Sequence, residues 1–210
     1  MASRREPSDS FDYFPTPPWA TRALCEFLRD DWRLLPSHTV REPACGEGDM
    51  ARPLAEYAAR VIASDIQDLG HGEVEDYLFT PTQPVDWVIT NPPFRLAQAF
   101  IEKALDEARV GVAMFARLAF IEGIERHDTL FGPRPPAFVM PFVERVPIVR
   151  GRLDAKASSA TAYAWFVWLS DHRGYARLRH IPPCRRRLER PGDYPDAAMA
   201  TPQDDAGLFA

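Results

Sequence analysis

Lysine is nearly missing from this chain: of its 25 basic residues only Lys103 and Lys156 are lysines, and the rest are arginines. An excess of positive charge is missing too. The 25 basic residues stand against 30 acidic ones, a net charge of -5. A globally basic nucleic-acid binder is thereby excluded, and any polyanion surface is confined to a local patch. Cysteine is scarce. Cys25, Cys45 and Cys184 are odd in number and lack CxxC spacing, so neither a disulfide framework nor a zinc site is expected. No histidine or cysteine partners His127 at metal spacing, and no metal is expected. No apolar run is long enough to span a bilayer, and the start, MASRREPSDS, has no apolar signal core. A membrane partner is not expected, and a reducing cytoplasm is the simplest compartment. GxGxxG and GK[ST] are both absent, which excludes a standard dinucleotide fingerprint and a P-loop. No internal repeat is found.

What is present suits a single globular domain over residues 11–190. The 210 residues are enough for one sizeable core and too few for two. Residues 1–10 are polar and expected to be disordered, and the Pro/Asp/Ala-rich tail, 191–210, to be mobile. Thr16 before Pro17-Pro18 predicts a capped helix start, with the helix running to about Asp31. Phe11, Tyr13, Phe14 and Trp19 form an aromatic arm, which either packs on the core or folds over a ligand.

Residues 38–42 read as the first strand. They lead into PACGEGDM, where Gly46 and Gly48 permit close backbone approach, and a helix is expected over 50–58. Strand, glycine turn and helix open a nucleotide-binding βαβ unit. The second strand, 61–65, ends on Asp65. This carboxylate lies roughly 20 residues past the turn, where ribose-binding acids sit in such folds. It accepts from two vicinal hydroxyls at once. Asp76 is a second candidate, suited to accept from an adenine amino group.

The next strand, 85–90, exits through Asn91-Pro92-Pro93-Phe94. An acceptor amide, two prolines and a ring make an unusual strand end, because prolines remove donors and stiffen the exit. The carboxyl edge of a parallel strand is where open α/β sheets place ligands.

Further along, 97–108 predicts a helix and 109–115 a buried strand. Strands over 136–142 and 161–169 suit an antiparallel hairpin closing a parallel sheet. Between them, residues 143–160 carry Arg145, Arg150, Arg152 and Lys156. They form either an ordinary exposed loop or a substrate loop that is positive where phosphates pass. Residues 172–190 hold seven arginines and one glutamate, a solvated strip or a phosphate track.

In order, TPPW at 16–19, EPACGEGDM at 42–50, the acids Asp65 and Asp76, and NPPF at 91–94 resemble the amino-methylating DNA methyltransferases. The resemblance covers roughly the first half of the chain. It implies S-adenosylmethionine as cofactor and a Rossmann-like class I methyltransferase fold, α/β, with a mainly parallel seven-stranded sheet and helices on both faces. It implies that Thr16 and Pro17 touch the methionine end of the cofactor. Glu42, Ala44, Cys45, Gly46 and Gly48 would form the turn around it, Asp65 would hold the ribose, and Asp76 with Tyr77 the adenine. Cys45 is then a packing residue in that turn.

Asn91, Pro92, Pro93 and Phe94 would be the catalytic tetrapeptide. An aromatic amine is a poor nucleophile because its lone pair is delocalised. The Asn91 amide oxygen and the Pro92 carbonyl would accept its N–H groups and favour a tetrahedral nitrogen, while Phe94 stacks on a base taken out of the stack. The implied activity is methyl transfer to adenine N6 in DNA, with nucleic acid as partner. An RNA base, a protein glutamine amide and a non-catalytic binding module are the alternatives. No large target-recognition region follows Phe94; residues 118–136 and 143–160 are the stretches available for one.

Overall fold

The apolar runs of the sequence become neighbouring strands of one sheet. The computed structural model describes residues 13–31, 33–157 and 159–194. Its strands are β1 (Thr39–Glu42), β2 (Arg60–Asp65), β3 (Glu73–Val74), β4 (Val85–Thr90), β5 (Ala108–Arg117), β6 (Phe138–Pro141), β7 (Tyr163–Leu169) and β8 (Arg177–Leu178). Their order is β3-β2-β1-β4-β5-β7-β6-β8. β7 alone among these runs antiparallel, pairing β5 on one side and β6 on the other. The antiparallel closure expected from 136–142 and 161–169 is thus the β6–β7 pair. Among the described residues the sheet has eight strands, one more than implied, because the two-residue β8 adds a parallel edge to β6.

Helices cover both faces. They are α1 (Pro18–Asp30), α2 (Ala51–Leu54), α3 (Ala97–Glu107), α4 (Ile124–Arg126) and α5 (Arg185–Leu188). Successive side chains of a strand point to opposite faces, and β5 shows the consequence. Ala113 and Phe115 pack in the core containing Trp19, Leu24 and Leu28 of α1, Leu54 of α2 and Leu188 of α5. Val112, Met114 and Ala116 pack in the other core, with Phe100, Ile101 and Ala104 of α3. Burial on both faces explains why these strands read as continuous apolar runs.

Two local expectations shift. α1 begins at Pro18 with Pro17 in the cap position and no side-chain cap; Thr16 stands one residue too early to cap it. The helix after the glycine turn is regular only over Ala51–Leu54, with turn bonds continuing to Ala58. There the chain is turned into β2 by a bond from Ala59 N to His38 O. The terminal stretches 1–10 and 195–210, and Phe11, lie outside the described residues.

A buried charged cluster fixes the segment after β3. Arg41, 1% exposed, pairs with Glu75 at 2.5 Å. Tyr77 donates to Glu107 at 2.8 Å, and the Lys103 amine donates to the carbonyls of Tyr77 and Thr80. Residues 75–80 are thereby tied to α3. Among the described residues, no helix is long and apolar enough to cross a membrane.

Candidate active site

A cleft opens at the carboxyl ends of β1, β2 and β4, roofed by the arm that precedes α1. Its lining includes Tyr13, Phe14 and Thr16 from the arm, Glu42, Ala44 and Cys45 from the β1 exit, Asp49 and Met50 from the glycine turn, Asp65 from β2, and Asn91 and Pro93 from β4.

Glu42 forms the floor. It is 0% exposed. Its Oε1 accepts from Thr90 Oγ1 and, at 3.3 Å, from Ala44 N. Its Oε2 has no hydrogen-bond partner among the described residues. Burial, with the Asp65 charge adding to it, pushes this carboxyl well above the usual range. An unpartnered buried oxygen is costly.

Asp65 ties β2 to the glycine turn. It accepts from Gly46 N at 2.9 Å and from Gln67 N at 3.1 Å. Gly46 adopts φ +54, and a Cβ there would lie 2.4 Å from Cε2 of Tyr13. The close approach that glycine permits is therefore made by the Tyr13 ring. Gly48, at φ +88, makes room for the His71 ring in the same way. The Tyr13 hydroxyl donates to Asp49 at 3.3 Å, and burial raises the Asp49 carboxyl above its ordinary range. Cys45 donates through Sγ to His71 O at 3.2 Å. Burial, then the charges of Glu42 and Asp65, push its thiol up to about 12. A thiol held up in this way stays protonated at neutral pH.

Asn91 is locked by the arm. Its Nδ2 donates to Phe14 O at 2.7 Å and to Thr16 Oγ1 at 3.0 Å. Both partners accept there, which fixes the orientation of the amide and leaves Oδ1 as its acceptor. The Phe94 ring lies 5.2 Å from Phe14, centroid to centroid, and the Arg117 guanidinium sits 4.4 Å from the Phe94 centroid.

The structure thus brings Thr16, Glu42, Ala44, Cys45, Asp65, Asn91 and Pro93 to one cleft. Gly46 borders it through Asp65, and Phe94 through Phe14. Pro17, Gly48 and Pro92 are not among its lining residues. Asp76 and Tyr77 are not among the lining residues. Asp76 accepts from Leu78 N at 3.1 Å within its own turn. Tyr77 is 2% exposed with its hydroxyl on Glu107. The aromatic arm divides: Tyr13 and Phe14 border the cleft, whereas Trp19 is core.

Asp49, Met50, Ile66, Gln67 and Leu69 line the cleft without having been singled out. Their signal was adjacency, since Asp49 and Met50 follow Gly48 and Ile66, Gln67 and Leu69 follow Asp65 within four residues. Arg117 was overlooked as well; it is the charge that ends the apolar run of β5.

Of the loop cations, Arg145 donates to Ala160 O at 3.1 Å and Arg152 pairs with Asp154 at 3.3 Å. Arg150 and Lys156 are exposed. Gly151 N donates to Tyr13 O at 2.9 Å, joining this loop to the arm. The 172–190 strip is largely committed elsewhere. Arg185, Arg187 and Arg190 pair with Glu189, Glu26 and Glu56. Arg177 and Arg179 lie over Phe138 and Phe27. Among the described residues, no group of three or more His, Cys, Asp and Glu side chains could hold a metal ion.

No family model matches the chain, and no curated protein sequence does. Its fold has clear counterparts among solved structures. One is described as a class I S-adenosylmethionine-dependent methyltransferase of Listeria monocytogenes. Its TM-score is 0.59 at 12% identity, over 82% of this chain and 67% of that one. A second, of Pyrococcus horikoshii, is described as an RNA methyltransferase, with TM-score 0.58 and 16% identity over 80% and 91%. A third is described as a modification subunit of a type I restriction enzyme from Vibrio vulnificus, with TM-score 0.56 and 14% identity over 83% and 48%. At such identities the likeness is one of fold. The chain has the Rossmann-like class I methyltransferase fold, with a mostly parallel sheet closed by one antiparallel strand.

Proposed function

We propose that the protein is an S-adenosylmethionine-dependent N-methyltransferase acting on an exocyclic amino nitrogen of a nucleic-acid base, adenine N6 of DNA foremost. The observation that carries this reading is the locked amide of Asn91. Its NH2 is engaged by Phe14 O and Thr16 Oγ1, so Oδ1 is the acceptor beside the cleft.

The cofactor fits the donor set. Glu42, Asp49 and Asp65 make the cleft acidic, which suits a cationic ligand and disfavours a polyphosphate. The unpartnered Oε2 of Glu42 suits an ammonium or sulfonium cation, and Asp65 retains acceptor capacity for ribose hydroxyls. Thr16, Ala44 and Cys45 supply the walls, with Gly46 under Tyr13. When bound, S-adenosylmethionine supplies an electrophilic methyl group.

The chain's own residues supply the positioning. Asn91 Oδ1 and the Pro92 carbonyl accept the two N–H groups of the target amine, which favours a tetrahedral nitrogen with its lone pair free to attack. The tight proline pair limits where this acceptor can move. Phe94 offers a face to the base. No covalent enzyme intermediate is involved, and the contribution is orientation and electrostatics. That the Pyrococcus protein is described as acting on RNA and the Vibrio protein as a restriction-modification subunit supports a nucleic-acid substrate.

The test is transfer of a tritiated methyl group to DNA, RNA and lysate protein, followed by nucleoside and amino-acid analysis. N6-methyladenine in DNA is expected. Label on RNA or glutamine redirects the substrate assignment, and cofactor binding without transfer to anything identifies a binding module. Asn91→Ala is expected to lose on the order of 100-fold or more in transfer while binding cofactor. Undiminished transfer in that variant refutes the proposal.

A further inference from the structure

Arg117 shares with Arg177 and Arg179 an exposed place on an aromatic ring, and of these rings its own, Phe94, is the one that borders the cleft through Phe14. Arg117 ends β5 and is exposed. Its guanidinium lies 4.4 Å from the Phe94 centroid. Among the described residues it has no carboxylate within ion-pair distance, and none of its N–H groups is engaged in a hydrogen bond. The exposed Arg187 and Arg190, by contrast, are neutralised by Glu26 and Glu56. An exposed cation on a ring is weakly held, and an unused guanidinium fork matches the oxygens of a phosphate.

The surroundings extend this cationic rim. Arg117 pairs in register with Tyr163, and Leu118 N donates to Ala162 O at 2.8 Å. Two residues before that carbonyl, Ala160 O accepts from Arg145. Arg145 also lacks a carboxylate within ion-pair distance among the described residues. The end of loop 143–160 is therefore held by Arg145 at Ala160 and by the end of β5 at Ala162, next to the strand position that carries Arg117.

We infer that Arg117 is a phosphate contact of the nucleic-acid substrate, resting on the Phe94 ring in the free protein and moving to the backbone phosphate of the nucleotide whose base enters. The inference rests on the nucleic-acid reading of the Asn91 site. A nucleotide whose base lies on Phe94 has its own phosphates within reach of a long side chain anchored beside that ring. The same guanidinium cannot serve fully as ring partner and phosphate clamp, so base entry and phosphate capture are linked. A phosphate contact positions the strand without reading its sequence.

The experiment measures steady-state methyl transfer to unmethylated DNA over a series of salt concentrations, for wild type, Arg117→Ala and Arg117→Lys. Arg117→Ala is expected to raise KM for DNA roughly tenfold, with kcat at saturation within about twofold of wild type. The slope of log KM against log salt should become shallower by about 0.7 to 0.9, the signature of one lost phosphate. Arg117→Lys should restore the slope, since it keeps the charge. Thermal midpoints should be unchanged, because the side chain is exposed. An unaltered KM and slope in Arg117→Ala overturn the inference. So does a fall in kcat with KM and slope unchanged, which would mark Arg117 as packing for Phe94. A wild-type protein that methylates no nucleic acid refutes the reading underneath, and that outcome is distinct from an active wild type indifferent to Arg117.

Discussion

Replacing Glu42 by glutamine should move binding and stability in opposite directions. The side chains are nearly isosteric, so the acceptor for Thr90 Oγ1 and Ala44 N is preserved. What changes is the second oxygen, buried and unpartnered among the described residues, which becomes an NH2 group. If that oxygen receives the cofactor's cation, the variant loses one charge-assisted hydrogen bond, about 1.5–3 kcal/mol. At about 1.4 kcal/mol per tenfold, Kd for S-adenosylmethionine should rise by about 10- to 150-fold, measured by calorimetry.

Stability runs the other way. The folded-state carboxyl is held above its ordinary range by burial, whereas an unfolded-state glutamate ionises near about pH 4.3. As pH rises past that value the unfolded chain loses its proton first, and folding stability falls until Glu42 ionises in the folded protein. Glutamine escapes this loss. The ligand-free variant should therefore match wild type at low pH and melt progressively higher than wild type as pH rises through that window. Wild-type affinity for the cation should strengthen over the same window, with proton release visible as buffer-dependent heat. Equal Kd for the two proteins, or a wild-type affinity flat in pH together with identical melting curves, refutes the assignment of Glu42 as the cation's acceptor.

Tyr77→Phe separates a core role from an adenine-binding one. Removing the hydroxyl leaves Glu107 buried without its 2.8 Å donor, at a cost of about 1–3 kcal/mol. That corresponds to a melting point lower by about 2–12 °C for a domain of this size, with cofactor affinity unchanged. A tenfold loss of affinity at constant melting temperature gives Tyr77 back its cofactor role. Gly46→Ala is strained by its positive φ and by the Tyr13 ring. A double-mutant cycle with Tyr13→Ala in urea should show a coupling of about 0.5–3 kcal/mol, because removing the ring removes the clash. Strict additivity contradicts the contact.

The strands and the cleft were legible for one shared physical reason. Burial on both faces writes β4, β5 and β7 as continuous apolar runs, and the exits of β1, β2 and β4 are marked by a carboxylate, glycine or proline. Glu42, Gly46, Asp65 and Asn91 all sit at such ends. Less legible was anything decided by a partner distant in sequence. The hydroxyl of Thr16 looks like a helix cap until Asn91, 75 residues on, is seen to donate to it. Tyr77 follows Asp76 in a segment fitting a cofactor's adenine, and only the buried Arg41, Lys103 and Glu107 show why that segment is drawn onto α3.

Charge was the least legible property, and its arrangement is what the proposed chemistry needs. Seven arginines within 172–190 point to a phosphate track, yet Glu26 and Glu56 fold against that strip and neutralise part of it. Arg117 and Arg145, each without a carboxylate within ion-pair distance among the described residues, are separated in sequence and linked through the pairing of β5 with β7 and the end of loop 143–160. The cleft itself is lined by Glu42, Asp49 and Asp65. The proposed reaction would bring a cationic methyl donor and a polyanionic acceptor to one point. If they shared one uniform field, whichever sign it had would repel one of them. Acid within the cleft and the Arg117 guanidinium beside Phe94 would let each approach through potential of the opposite sign.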